Sequence, residues 1–446
     1  MAKQTSRHST GTTTHKKHNR NQHLAGSVVA AIVVVCAIVG VILAHTLLLA
    51  HSQSHQVYIQ GKILPQAYAP TGADHINLPH QRMYFIEQKP QGTQLMASDV
   101  AGAQVPLALL PENFGTVSGD VISEIALSPN NRYLAINGQR DHGDSVWIVA
   151  TETSELRTVP SDALGNFLHW LPDGQHFLFR PTLRTGPGLD TWSPGVWIVD
   201  AATGNHENVT LPDSMLADNL IDAVPSPDGT QILFSVTAGI GNGSTVWTMR
   251  ADGQQTQRLF HADNAVGQFA WSPDGKTVAY QDIVDTAVPF RPANVWLLTP
   301  ATTERHQIGT ADGGHGYSVA WSPDSQQLAF VTRLNPDDGT ANTTAGALQS
   351  GITLFSMATG VTSNVVTPAQ TGVARNINPV WQTNGSLLFT AMPASEGYGA
   401  ALTPASLWSV STSGTASGSG TTTTMTVHRL SMTSDIGAGS RVIIVP

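Results

Sequence analysis

Short apolar runs recur along most of the chain, each preceded by a polar tetrapeptide built on proline. Ser226-Pro227-Asp228-Gly229 leads into Ile232-Leu233-Phe234, and Ser272-Pro273-Asp274-Gly275 into Val278-Ala279-Tyr280. Ser322-Pro323-Asp324-Ser325 precedes Leu328-Ala329-Phe330, and Leu171-Pro172-Asp173-Gly174 precedes Phe177-Leu178-Phe179. Weaker copies are Ser128-Pro129-Asn130-Asn131, Gln382-Thr383-Asn384-Gly385 and the eroded Leu78-Pro79-His80-Gln81. The copies begin at 78, 128, 171, 226, 272, 322 and 382, so they lie 43 to 60 residues apart. Proline presets φ for the first corner of a turn, Asp bonds back to nearby backbone, and Gly accepts a left-handed φ. Flanked by apolar runs, the tetrapeptide predicts a hairpin.

Each unit offers a second strand pair around a tryptophan, as in Ser145-Val146-Trp147-Ile148-Val149 and Asn294-Val295-Trp296-Leu297-Leu298. Four strands in a unit of this size predict a β-propeller blade. The tryptophans fit the same frame. Trp170, Trp271, Trp321 and Trp381 directly precede the tetrapeptide, whereas Trp147, Trp197, Trp247, Trp296 and Trp408 fall in the third strand. Their expected role is packing between blades. Of the ten tryptophans, only Trp192 falls outside the pattern.

These repeats resemble the TolB-like propellers built from PD-type, WD-like repeats, over about residues 57 to 446. The resemblance implies an all-β propeller whose first strands line the central channel. The repeat count predicts seven blades, with six or eight as the alternatives. Either Val57-Tyr58-Ile59 or Val442-Ile443-Ile444 is expected to supply a missing outer strand that closes the ring. The motif specifies fold and leaves activity open, since such blades serve many functions.

A different pattern precedes the repeats. Residues 24–50 contain no charged side chain and form a run long enough to span a bilayer of about 30 Å as one α-helix. Lys3, Arg7, Lys16, Lys17 and Arg20 lie before it with no acidic residue among them, which predicts a cytoplasmic N-terminus by the positive-inside rule. The alternative is a cleaved signal peptide. The expected organisation is a basic cytoplasmic tail (1–23), a single-pass transmembrane helix (24–50), a juxtamembrane linker (51–70) and an extracytoplasmic propeller (71–446). Residues 409–424, nearly pure Ser, Thr and Gly, read as a flexible insert.

Composition narrows the function classes. The single cysteine, Cys36, lies within the apolar run, so the exported part has no disulfide framework. The formal charge of -9 hides the basic tail: beyond it stand 17 Lys and Arg against 31 Asp and Glu. An acidic body argues against nucleic acid as a partner, because phosphate neutralisation requires a basic surface.

The connections between second and third strands vary most in length, and the long ones are 180–195, 282–293, 333–350 and 393–406. In a propeller they emerge on the face that also carries the links between blades, and loops on a rigid scaffold are where binding resides. The candidate ligand-binding residues on that face are Trp192, Phe290, Arg291, Arg333, Arg375, His315, Tyr317, Asp222 and Asp282. Trp192 and Phe290, with Tyr398, are expected as aromatic contacts around a mouth, and the arginines as captors of carboxylates or other polar groups. No nucleophile elbow, zinc motif, phosphate loop or dinucleotide fingerprint occurs. Asn335-Pro336-Asp337-Asp338-Gly339 reads as a polar turn rather than a calcium loop. No metal, cofactor or catalytic residue is therefore expected. The leading expectation is a non-enzymatic module that binds a protein, a peptide or an envelope ligand. The alternative is a propeller lyase or hydrolase with a His/Asp site at the channel mouth.

Overall fold

The computed structural model describes residues 83–444 with gaps, the longest being 111–124, 210–218, 284–289, 313–318, 394–405, 412–424 and 431–442. The tail, the candidate span at 24–50 and the linker lie outside the described residues. Among the described residues no helix is long and apolar enough to cross a membrane.

The described chain is nearly all strand, and its pairings fall into four-stranded antiparallel sets. The first comprises β1 (Met83–Lys89), β2 (Gly92–Ser98) and β3 (Gln104–Leu109). The second is β4 (Ile125–Leu127), β5 (Tyr133–Arg140), β6 (Gly143–Ala150) and β7 (Leu156–Thr158). The third is β8 (Leu164–Trp170), β9 (His176–Gly186), β11 (Val196–Asp200) and β12 (His206–Val209), with β10 (Leu189–Trp192) as an addition to β9. The fourth is β13 (Asn219–Pro225), β14 (Gln231–Thr237), β15 (Ser244–Arg250) and β16 (Gln257–Ala262). The fifth is β17 (Ala265–Trp271), β18 (Val278–Ile283), β19 (Ala293–Thr299) and β20 (Glu304–Ala311). The sixth is β21 (Ala320–Trp321), β22 (Gln327–Arg333), β23 (Ser350–Ser356) and β24 (Thr362–Val366). The seventh is β25 (Arg375–Trp381), β26 (Ser386–Met392), β27 (Ser406–Ser411) and β28 (Val427–Arg429). The last three sets are joined edgewise only through single residue pairs, Ala311 with Thr332 and Ser350 with Arg375.

A last strand, β29 (Ile443–Ile444), pairs antiparallel with β1, opposite Met83 and Tyr84. The order β29-β1-β2-β3 puts it in the first-strand position. The expectation of a closing outer strand is thus corrected. β1, which follows the eroded tetrapeptide in sequence as the second strands follow theirs, therefore has its free edge on the inner side.

Burial follows strand position. The second strands are covered on both faces, as in β14, where Ile232 to Val236 are all buried. Neighbouring residues of such a strand serve opposite neighbours: Phe177 and Phe179 pack towards Ala135 and Ile148 of the second sheet, whereas Leu178 packs with Ile232 and Phe234 of the fourth. The fourth strands face water, and Glu304 to Gln307 of β20 are exposed. Every consecutive pair of sheets shares an apolar cluster. A further cluster joins Phe85 and Met96 of the first sheet to Ile377, Leu388, Met392 and Leu407 of the seventh. Packing and pairing both bring the last strands back to the first.

The tetrapeptides form the corners between first and second strands. In Ser226–Gly229 the Ser226 hydroxyl donates to Asp228 Oδ1 at 2.6 Å and accepts from the Gln231 amide at 3.0 Å. The same pair of bonds recurs at Ser272/Asp274, Ser322/Asp324 and Ser128/Asn130. In the described copies the fourth residue takes a left-handed φ: 66° at Gly174, 71° at Gly229 and Gly275, and 78° at Gly385. Asn131 and Ser325 take it without glycine, at 60° and 61°. At Gly174 space matters as well, since a Cβ would lie 2.6 Å from the Asn130 side chain of the preceding corner.

Candidate functional site

Two recurring devices bind neighbouring sheets at the junctions from the second to the seventh. The indole N–H of the tryptophan ending a first strand donates to a backbone carbonyl in the preceding first strand. Trp170 reaches Ala126 O, Trp321 reaches Ala270 O and Trp381 reaches Ala320 O, each at 2.9 Å. Trp271 stands at the same repeat position, yet its buried indole nitrogen has no hydrogen-bond partner among the described residues.

The second device is a polar side chain nine residues after the start of the tetrapeptide, inside an otherwise apolar second strand. Asn137 donates to Phe167 O at 3.1 Å and accepts from Phe167 N at 2.8 Å, clasping the first strand of the next sheet. Arg180 spans the next junction, donating to Leu220 O at 3.0 Å and Ile221 O at 2.9 Å. Ser235 donates to Val266 O at 2.6 Å across the following one. These clasps went unread in the sequence, although a polar residue at a fixed offset within the second, third and fourth sheets' apolar runs was the available signal, with Val331 and Ala391 at the same offset in the sixth and seventh.

Arg180 brings charge into the axial part of the molecule. Burial pulls its guanidinium down to about 9, while the nearby Asp222 and Asp144 carboxylates favour the charged form. Its Nη2 also donates to Asn166 Oδ1 at 3.2 Å. Asp222, on the first strand of the fourth sheet, faces His169 on the first strand of the third, with Nε2 and Oδ1 3.6 Å apart. Burial opposes the Asp222 charge, but His169 and the amides of Phe269 and Ala223 outweigh it and hold the carboxyl below its usual range. The Phe269 amide donates at 3.1 Å and the Ala223 amide at 2.8 Å. His169 and Arg180 are thus neighbours of Asp222 that the sequence reading did not nominate.

Asp282 does not join this group. It lies near the end of β18, where burial pushes its carboxyl up against the opposing pull of the Asn264 amide and Arg305. Its buried Oδ1 has no hydrogen-bond partner among the described residues.

The remaining nominated residues separate into buried and exposed groups. Arg333 and Asp312 form an ion pair with both side chains at 0% exposure, and Nη2 and Oδ1 are 2.5 Å apart. Ser350 donates to the other Asp312 oxygen, and Arg333 Nη2 also donates to Phe290 O at 2.9 Å. Arg333, expected as a ligand captor, is therefore held inside the protein by a partner it was not assigned. Phe290, expected at an open mouth, is 2% exposed and packs with Ala341 and Leu348. Its amide donates to Asn342 O at 3.2 Å, so the long loops of the fifth and sixth sheets interlock. Arg375 is buried at the start of β25, opposite Met392. Arg291, by contrast, is exposed beside Phe290.

Asn335–Gly339 is a polar turn. Asn335 Nδ2 donates to Ala347 O at 2.9 Å, and Asp338 Oδ1 accepts from Thr340 N at 2.9 Å. Trp192 ends β10, with its backbone paired to Thr182. Nothing beyond that backbone position is described for it. His315, Tyr317 and Tyr398 lie outside the described residues. Among the described residues no group of three or more His, Cys, Asp or Glu side chains is placed to hold a metal ion.

No family model matches the chain. One stretch of 81 residues is 33% identical to the Tol-Pal system protein TolB of Alcanivorax borkumensis, covering 18% of this chain and 18% of that protein. The solved structure of TolB from Acinetobacter baumannii is similar over 82% of this chain and 83% of its own, with 14% identity and a TM-score of 0.40. The S511A mutant of puromycin hydrolase complexed with PGG is similar over 74% of this chain and 50% of its own, with 14% identity and a TM-score of 0.50. The fold is an all-β propeller, and the likeness to TolB in sequence is confined to the matched 81 residues. At these identities the solved structures speak to fold alone, and they include enzymes as well as TolB.

Proposed function

We propose that the protein is a membrane-anchored, seven-bladed β-propeller displayed outside the cytoplasm, and that it binds a protein, peptide or other envelope ligand without catalysing a reaction. The observation that carries this reading is the lobe formed by the loops of the fifth and sixth sheets. Its underside is fixed by the buried Arg333–Asp312–Ser350 network and by Phe290 seated against Ala341 and Leu348. Its outer surface presents Arg291, Asp337, Asp338 and Thr340 to solvent. A preorganised loop surface loses less ordering entropy on binding than a mobile one. The seven four-stranded sets and the cluster joining the last sheet to the first support the blade number.

The anchor rests on the uncharged run at 24–50, and the orientation on the five preceding cations. Crosslinking on intact cells, followed by pull-down of the full chain, tests the reading. Recovery of a discrete partner with the membrane fraction supports it, and a chain released by alkaline extraction contradicts the anchor.

A second reading has a specific observation behind it. His169 and Asp222 face one another on the first strands of consecutive sheets, a pairing in which a carboxylate can orient a histidine acting as general base. Turnover of a polysaccharide or peptide substrate that is lost in His169→Gln would favour it over the binding module.

A further inference from the structure

His169 and Asp222 are contributed by different sheets, yet they meet at the axial strands where the third and fourth sheets join. The two side chains differ in exposure, His169 at 36% and Asp222 at 13%, so the imidazole can exchange protons with solvent while the carboxylate is largely withdrawn from it. At 3.6 Å the contact is longer than a neutral hydrogen bond, and its strength therefore depends on the charge of the ring. The junction is otherwise bridged by Arg180, whose guanidinium is committed to Leu220 O, Ile221 O and Asn166.

We propose that the His169–Asp222 pair is a proton-controlled latch between the third and fourth sheets, tightening the axial wall when the imidazole is protonated and loosening it when the imidazole is neutral. Asp222 on β13 attracts an imidazolium, and the same carboxylate also draws Arg180 on β9, towards which Asp144 on β6 acts as well. The balance favours the imidazolium because Asp222 is its direct neighbour and stays ionised, stabilised by the Phe269 and Ala223 amides. The sign follows from linkage. A cation stabilised by a partner in the folded state adds stability that is present at low pH and disappears as pH rises through the histidine range. The lower limit is set by Asp222, whose depressed carboxyl keeps the latch charged until the medium becomes strongly acidic.

The test compares thermal unfolding of the full chain with that of His169→Gln and Asp222→Asn between pH 5.5 and 8.5. The expected result is a gap in Tm between wild type and His169→Gln that is wider at pH 5.5 than at pH 8.5, by about 1–3 °C. That widening should vanish when both proteins carry Asp222→Asn. A gap that is constant with pH, or widening that persists without Asp222, overturns the latch. If His169→Gln does not fold, ring-carbon NMR of labelled histidines replaces it. One imidazole titration midpoint should then fall in Asp222→Asn, and a set of unmoved midpoints overturns the proposal.

Discussion

At one end of the sheets the chain turns from first strand to second through corners that repeat the same bonds; at the other end the long connections of the fifth and sixth sheets are held by contacts that occur once among the described residues. The Ser–Asp corner bonds appear at 226, 272 and 322, and Asn130 substitutes for Asp in the second sheet. The Arg333–Asp312–Ser350 network and the Phe290 seat have no counterpart in the other described sheets. Repetition at one end builds the ring, while singular contacts at the other shape a surface. A scaffold separated in this way can change its loops without disturbing its corners.

The largest effect should come from the singular end. Arg333→Met leaves Asp312 buried without its charge partner and should cost about 3–5 kcal/mol. Adding Asp312→Leu removes the stranded charge, so the double variant should be more stable than the single one. Urea unfolding of the full chain measures both, and a double variant weaker than Arg333→Met would refute the buried-charge account.

The repeated junctions come next, and they are not all alike. Trp381 donates to Ala320 O, whereas Trp271 at the equivalent position has no acceptor among the described residues. Trp381→Phe should therefore be more destabilising than Trp271→Phe by about 1 kcal/mol. Equal losses would show that the indole bond contributes nothing beyond packing.

A smaller effect is expected at the corners. The Ser226 hydroxyl and the Thr230 amide hold the exposed Asp228 carboxyl below its usual range. Because the folded-state value is the lower one, its stabilising contribution is present at neutral pH and lost as pH falls through that depressed value. Asp274 and Asp324 behave alike, through Ser272 and Ser322. Asp228→Asn should flatten the acid limb of the stability profile below about pH 4. An acid limb identical to that of wild type would dismiss the corner carboxylate as a contributor. The smallest stability change is expected for Trp192→Ala, because Trp192 falls outside the repeated packing positions of the sequence, and it should stay within about 0.5 kcal/mol. Its effect should fall on partner capture, and undiminished pull-down with the variant would remove Trp192 from the binding surface.

The corners were legible because they are local. Every atom of the Ser226–Asp228 bond lies within one tetrapeptide, so its spacing is printed in the chain. The tryptophan positions were legible for the same reason, although the sequence did not distinguish Trp271 from Trp381. That distinction depends on where the preceding sheet places a carbonyl. The loop end was far less legible. Arg333 and Phe290 sit in long connections that ordinarily face water, and their burial depends on Asp312, Ser350, Ala341 and Leu348, which no short motif links to them. His169 was overlooked because it lies between Leu168 and Trp170 in a strand read only for packing. Its relation to Asp222 exists only once the third and fourth sheets are side by side.

The claim that binding belongs to the loop end can be tested by placing a photo-crosslinking residue at Arg291 on that end or at Lys276 beside a corner, both exposed. After irradiation of intact cells, the account predicts a discrete adduct from position 291 and none from position 276. An adduct from position 276 alone would contradict it.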